Sequence, residues 1–519
     1  MVLGGRISSG CACCRMTRRS FLGACAAAGA GAFSLDAVKA GSAEGAAKAR
    51  VRLVFTHVPS TGPIWPYMGF DFDRRKKELS EKLAAALPEI EFLPATAMNA
   101  NEAKKVLAGD KDVDGYLVYV VGFWSGAPQV IAAAGKPTLM VDDLYGGSGE
   151  FLVAYAGARR AGQKVAGVSS SRFDDVVDAA RCFGMLKRGA TADGFVAACT
   201  DKRKKGTPRA GDTACKPDAV KTLDVAECIS KLRRKRLLVV GGGWGMPAIG
   251  KAVESVLGIQ LIPVDFTELH SAFERVDPDE ARRWADAWSS AAEKIMEPSE
   301  EEIRASAAMY VAMLEILKRY EAQGITINCL NGFYGGQLKA YPCLGYTEMN
   351  DHGVVGSCEG DIKSAVTMLA IATLTGRPGY ISDPVIDTSR NQIIYAHCVA
   401  PTRVFGPEGM KNPYHIRSHS SDNKGAAVRS LMPEGYMTTT LSIRCQSKQI
   451  LLHQGKSVDN IDDDKACRSK LAVEVKGDME KLLTYWDLWG WHRVTFYGDL
   501  KGQVQEFAKA LGMTVIEEA

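Results

Sequence analysis

The chain has 519 residues, of which 46% are hydrophobic and 24% charged. That is an ordinary globular make-up, with length for about two to four domains. The formal charge of +4 is matched by Arg6, Arg15, Arg18 and Arg19 in an acid-free N-terminal stretch. The balanced remainder carries no basic footprint for nucleic acid.

The N-terminal motif Thr17-Arg18-Arg19-Ser20-Phe21-Leu22 is similar to a twin-arginine export signal. The Ala/Gly-rich run at 23–33 that follows is too short and small-sided for a stable membrane span. Small residues at 40–43 offer a peptidase site. Residues 1–49 are therefore expected to be a signal peptide and linker. The export machinery is then a partner during targeting, and the location is periplasmic or extracytoplasmic. Leu22-Gly23-Ala24-Cys25 mimics a lipobox but lacks an apolar segment before it, so lipidation is not expected. Of the 14 cysteines, the ten beyond the leader are scattered singly, which argues against a zinc knuckle. Cys199, Cys215 and Cys228 are close enough in sequence to pair in an oxidising compartment.

From residue 50 the pattern alternates. Strands are predicted at 51–56, 90–93, 116–121 and 138–141, with helices at 71–87 and 101–108. A second unit opens near 164, with a strand at 165–168 and a helix at 174–186. Residues 200–216, basic and Gly/Pro-containing, read as an exposed loop. The strand 236–240 runs into Gly241-Gly242-Gly243-Trp244-Gly245. Met246 breaks the dinucleotide fingerprint there, so a tight strand-to-helix turn is the better reading. The clearest helix covers 299–323, with Ser299 and Glu302 as a capping box and Gly324 as its stop. A strand at 325–330, a helix at 361–374 stopped by Gly376, and a strand at 379–382 follow. Beyond about 390 the texture turns to β, with segments at 393–399, 436–444, 472–475 and 492–497 before a last helix at 502–511. The expected fold is α/β: two Rossmann-like parallel-sheet domains (50–163 and 164–388) and a mainly β C-terminal domain (389–519).

Three residues stand out for their placement. Glu359 lies at the mouth of a helix, Asp383 at the end of a strand and His492 in the last β segment. Two carboxylates and an imidazole suit a divalent cation such as Mn²⁺. Each also has a plain reading: a helix-terminus acid, a turn former before Pro384 and a core histidine. Asp361, the better-placed cap, leaves Glu359 free for other work. Ligand sites in open α/β sheets gather at strand carboxyl ends, where Asp383 is expected. His397 and Arg403 follow Asp383 closely enough to line the same pocket. His415 and His419 lie in a polar stretch. Trp124, after a strand, reads first as an ordinary buried aromatic and second as a stacking surface for a sugar, in a neighbouring subunit's site. Trp486, Trp489 and Trp491 read as packing residues of the β domain, and Trp491 also as a contact for the substrate.

The stretch from Asn350-Asp351-His352-Gly353 through Cys358-Glu359-Gly360-Asp361, then Leu374-Thr375-Gly376 and Asp383, resembles the L-fucose isomerase/L-arabinose isomerase family. The 24-residue separation of Glu359 and Asp383 and the C-terminal His492 before Gly498-Asp499 carry that resemblance. It implies a Mn²⁺ site on Glu359, Asp383 and His492, and aldose–ketose interconversion through an ene-diol with the two carboxylates moving the proton. It also implies a small sugar substrate and a homo-oligomer. From their own positions, and not from the resemblance, His397, Arg403, His419, Trp124 and Trp491 are candidate substrate contacts. The segment Ser382-Asp383-Pro384-Val385-Ile386-Asp387 departs from the family pattern. An epimerase or lyase on a modified sugar, or an exported non-catalytic sugar binder, therefore remains as an alternative.

Overall fold

The computed structural model describes residues 47–212, 214–243 and 245–519. The expected leader lies outside them. Among the described residues no helix is long and apolar enough to cross a membrane.

Five parallel strands form the first sheet: β1 (Ala49–Thr56), β2 (Ile90–Ala97), β3 (Gly115–Val120), β4 (Thr138–Asp142) and β5 (Val165–Ser169), in the order β2-β1-β3-β4-β5. The sequence Tyr-Leu-Val-Tyr-Val within β3 is buried at every position, as befits a strand covered on both faces. The helices between are capped as their sequences suggest. Asp71 accepts from the Arg74 amide ahead of Phe72–Ala86, and Asn99 from Asn101 and Glu102 ahead of Ala100–Gly109.

Two expectations change here. The strand at 165–168 does not open a second unit, because β5 pairs with β4. Residues 200–216 are not simply a loop, since helix Ala192–Gly206 takes in the first part. Its last turn carries Arg203, Lys204 and Lys205, where cations complement the exposed carbonyls and dipole of a helix end. Arg203 is buried, reaching the Gly167 carbonyl oxygen at 2.6 Å, Tyr155 Oη at 3.0 Å and Glu480 at 2.6 Å. The predicted helix at 174–186 is α-helical only over Phe173–Ala180 and tightens into a 3₁₀ segment, Arg181–Arg188.

The second sheet is also parallel. It comprises β6 (Arg236–Val240), β7 (Gln260–Val264), β9 (Gly324–Ile327) and β10 (Val355–Ser357), ordered β10-β9-β6-β7. Helix Glu300–Arg319 has both halves of the capping box between Ser299 and Glu302. It ends at Tyr320, and Gly324 starts β9 instead of stopping the helix. The short β8 (Lys294–Ile295) joins β13 (Tyr414–Arg417) and β14 (Ala427–Ser430) in a separate small sheet.

The third sheet contains β11 (Tyr380–Asp387), β12 (Gln392–His397), β15 (Met437–Arg444), β16 (Gln449–Asn460), β17 (Ser469–Lys476), β18 (Arg493–Tyr497) and β19 (Thr514–Glu517). Its order is β15-β18-β11-β12-β17-β16-β19, and β15 pairs again with β16. Six antiparallel strands thus close on themselves as a barrel, which leaves few exposed edges. β11 belongs to this barrel and not to the second parallel sheet, so the expected boundary at 388 falls inside a hairpin. Asp383 sits within an eight-residue strand, opposite Ala396. It is not at the carboxyl end of a parallel strand.

Candidate metal centre

The turn Cys358-Glu359-Gly360-Asp361 connects β10 to helix Ile362–Thr375. Both central residues have left-handed backbones, with φ of 62° at Glu359 and 64° at Gly360. For a glutamate this costs about 1–2 kcal/mol, and strain of this kind gathers at functional sites. Glycine is required next to it. A Cβ on Gly360 would lie 3.1 Å from the Gly242 carbonyl oxygen and 3.3 Å from Asn328. The Gly241-Gly242 turn after β6 therefore backs the Glu359 turn. Glu359, not Asp383, occupies the carboxyl edge of a parallel sheet.

Asp361 caps the helix, accepting from the Ser364 amide at 3.0 Å and its hydroxyl at 2.7 Å. It has a second task that its capping role conceals in the sequence. Its Oδ2 lies 3.1 Å from His492 Nδ1. A carboxylate there is an acceptor, so Nδ1 carries a proton and the opposite nitrogen, Nε2, is aimed into the site. Asp383 meets His492 through strand pairing. Ser382 is opposite Arg493, and the next position along places Asp383 beside His492.

The side chains converge. His492 Nε2 is 3.1 Å from Asp383 Oδ1 and 3.6 Å from Glu359 Oε2. His397 Nε2 is 3.7 Å from Glu359 Oε1. Potential ligand atoms of Asp383, His397 and His492 lie within 4.8 Å of one another, as do those of Cys358, Glu359 and His397. Among the described residues the buried nitrogens His397 Nε2 and His492 Nε2 have no hydrogen-bond partner. An orphaned buried polar atom costs about 1–3 kcal/mol. Two such atoms facing two carboxylates fit a hard or borderline divalent cation. Asp361 then fixes the tautomer of a ligating histidine from behind.

The electrostatics agree. Burial by itself would push His492 down, but Asp361, Asp383 and Glu359 outweigh it and hold the ring well above its ordinary pKa. Burial likewise opposes ionisation of Asp383, and His492, His397 and Trp491 reverse it, so the carboxyl is held below its usual range. Carboxylates that favour a proton on His492 also favour a cation among them. Asp383 is clamped by the Trp491 indole N–H and by Cys467 Sγ at 3.8 Å. Among the described residues nothing hydrogen-bonds the Glu359 carboxylate. Its side chain is 25% exposed against 8% for Asp383.

The remaining sequence candidates divide. Trp124 is half exposed and packs edge-on against Trp491, with ring centroids 5.7 Å apart. Both tryptophans thus reach the site within one chain, and Trp491 does more than pack the β domain. Arg403 does not join the cluster, because its guanidinium turns back to the Gly409 carbonyl oxygen at 2.7 Å. His419 Nδ1 is 2.9 Å from an Asp422 carboxylate oxygen; burial alone would lower its pKa, but Asp422 and the neighbouring Cys398 raise it to about 9. His415 lies in β13, 3.7 Å from Glu293. Cys199 and Cys228 are buried free thiols and form no disulfide. Three participants were not foreseen: Cys467 against Asp383, Asp361 behind His492, and Cys358, whose sulfur is 3.3 Å from Cys329 Sγ. The hairpin turn at Thr388–Arg390, with Asn391 left-handed at φ 53°, was the available signal that residues near 396 fold back onto Asp383.

No protein-family model matches the chain. Curated relatives do. The sulfoquinovose isomerase of Priestia aryabhattai is 24% identical over 202 residues, 37% of this chain and 43% of that protein. The sulfoquinovose isomerase of Alkalicoccus urumqiensis is 25% identical over 152 residues, 28% and 33% of the two chains. That of Clostridium sp. (strain MSTE9) is 22% identical over 305 residues, 56% and 66%. The chain spans less than half the length of the Priestia and Alkalicoccus relatives it matches.

Proposed function

We propose that this chain is a divalent-cation-dependent sugar isomerase that interconverts an aldose and a ketose. One observation carries the reading. Glu359 and Asp383, brought from a helix turn and a barrel strand, converge on the buried Nε2 atoms of His492 and His397, neither of which has a hydrogen-bond partner among the described residues. Relatives named sulfoquinovose isomerase support the same reaction class.

Glu359, Asp383 and His492 would hold the cation, with His397 at its side. When bound, a cation such as Mn²⁺ would supply Lewis-acid polarisation of the sugar carbonyl and a template for its neighbouring oxygen. The chain's own groups divide the remaining work. Asp383, clamped by Trp491 and Cys467, is the fixed carboxylate. Glu359, more exposed and without a hydrogen bond among the described residues, is the one free to take a proton from the carbon next to the carbonyl and return it to the former carbonyl carbon, while the hydroxyl proton of the neighbouring carbon passes to the former carbonyl oxygen. Asp361 keeps His492 Nε2 facing inward. Trp491 and Trp124 wall one side and reduce access of water. The Thr17–Leu22 motif is part of the same proposal, as the address for export through the twin-arginine route.

The test is deuterium uptake. Protein loaded with Mn²⁺ is incubated in D₂O with L-fucose, L-arabinose, other common aldoses and sulfoquinovose, the last brought in by the relatives' name. Cation-dependent incorporation at C2 of one sugar, reversed by chelation, is expected. If no member of the panel exchanges, the isomerase reading fails.

A further inference from the structure

Glu150 is a carboxylate with no exposed surface, in the first turn of helix Ser148–Arg160. Among the described residues no salt bridge reaches it. Burial raises its pKa, and hydrogen bonds from Ser125 and Gly126 oppose that rise. An unpaired buried carboxylate is costly unless its lone pairs are filled. Here they are filled from one short loop. Glu150 accepts from the Ser125 amide at 2.9 Å, from the Ser125 hydroxyl at 3.0 and 3.1 Å, and from the Gly126 amide at 2.6 Å. All three donors follow directly after Trp124.

The helix that carries Glu150 is itself pinned. A Cβ on Gly147 would lie 1.9 Å from the Val120 carbonyl oxygen, so the helix start is pressed onto the end of β3. Gly149 completes the arrangement. A Cβ there would be 3.2 Å from the Trp491 ring and 3.6 Å from that of Trp124. The two indoles lie against the bare backbone beside Glu150, and the far one donates its N–H to Asp383.

We propose that Glu150 is a positioning residue for the candidate centre: by gripping the Ser125 and Gly126 amides it sets Trp124 against Trp491, and through Trp491 it sets the Asp383 carboxylate. Its effect on turnover rests on the isomerase reading, while its effect on the indoles does not. A carboxylate suits the task because it accepts from several donors with charge-assisted strength. Glu150→Gln keeps the size but turns one oxygen into an N–H group that faces amide donors.

The experiment uses the full chain labelled with 5-fluorotryptophan, together with turnover of the aldose found active in the D₂O panel. Glu150→Gln is expected to shift the ¹⁹F signals of Trp124 and Trp491 and to leave those of Trp284 and Trp288 in place. Misplacement of this kind should lower kcat/KM about ten-fold with the Mn²⁺ stoichiometry unchanged. In a Trp124→Ala background the same substitution should add less than about two-fold, because coupled residues are not additive. Unmoved Trp124 and Trp491 signals, or a full additional loss in the double variant, would overturn the proposal. If Glu150→Gln does not fold, Ser125→Ala removes a single donor and is read the same way, with smaller shifts in the same signals. A wild-type protein that turns over no aldose refutes the isomerase reading, and the ¹⁹F signals still decide this one.

Discussion

Asp361→Asn separates the two duties of one side chain. In the wild type, Oδ1 caps the helix through the Ser364 amide, and Oδ2 accepts from the Ser364 hydroxyl and faces His492 Nδ1. Asparagine caps helices about as well as aspartate, so the helix start should survive and far-UV circular dichroism should not change. The amide nitrogen, however, would stand where the acceptor was and would confront the Nδ1 proton. The neutral ring that cation binding requires would then keep its one proton on Nε2, the atom 3.1 Å from Asp383, and not on Nδ1. A protonated Nε2 has no lone pair for a cation. Loss of an outer-shell partner lowers metal affinity roughly 10- to 100-fold, which is about 1.4–2.7 kcal/mol. The assay is a titration of the variant with Mn²⁺, following free Mn²⁺ by electron paramagnetic resonance. Asp361→Ser, which caps without a charge, should lose affinity as well. Wild-type affinity in both variants would refute the assignment of Asp361 to His492.

Glu359→Gly should act in opposite directions on stability and binding. It releases a left-handed glutamate at the cost of glycine's own entropy, a net gain of about 0.5–1 kcal/mol in urea denaturation without cation, while Mn²⁺ binding disappears. Glu518 is buried against Arg493 at 2.7 Å and His453 at 2.9 Å, and these partners overcome burial to depress its pKa from 4.5 to about 2. A depressed carboxylate stabilises the fold fully above the unfolded value and loses that contribution as pH falls. The stability gap between wild type and Glu518→Gln should therefore be constant above about pH 5 and shrink between pH 4.5 and 2, read by denaturant midpoints. Arg203→Met strands Gly167 and Tyr155 and should cost about 2–4 kcal/mol, whereas Lys202→Met on the exposed face of the same helix should change stability by less than about 0.5 kcal/mol.

Much of this architecture is written in short-range signals. The alternation of apolar strands with capped helices announces parallel sheets. The Ser299/Glu302 box, the Asp361 cap and the Gly376 stop at φ 68° all appear where their residue types require them. Such signals act within a turn or two of the backbone, so the residues themselves contain them. Glu359, Asp383 and His492 could be singled out as a set only by their likeness to a known family. Their meeting in space was decided elsewhere. Whether β5 joins the first sheet, whether β11 joins a barrel, and whether Arg203 is buried depend on which distant surfaces compete for the same strand edge or helix face. Barrel closure sets Asp383 beside His492 and, through the β11–β12 hairpin, near His397. The helix turn supplies Glu359, and the first sheet's loops bring Trp124 to Trp491. A register between strands more than a hundred residues apart leaves no periodic mark in either strand, because the contacts that choose it form only when the whole core is assembled.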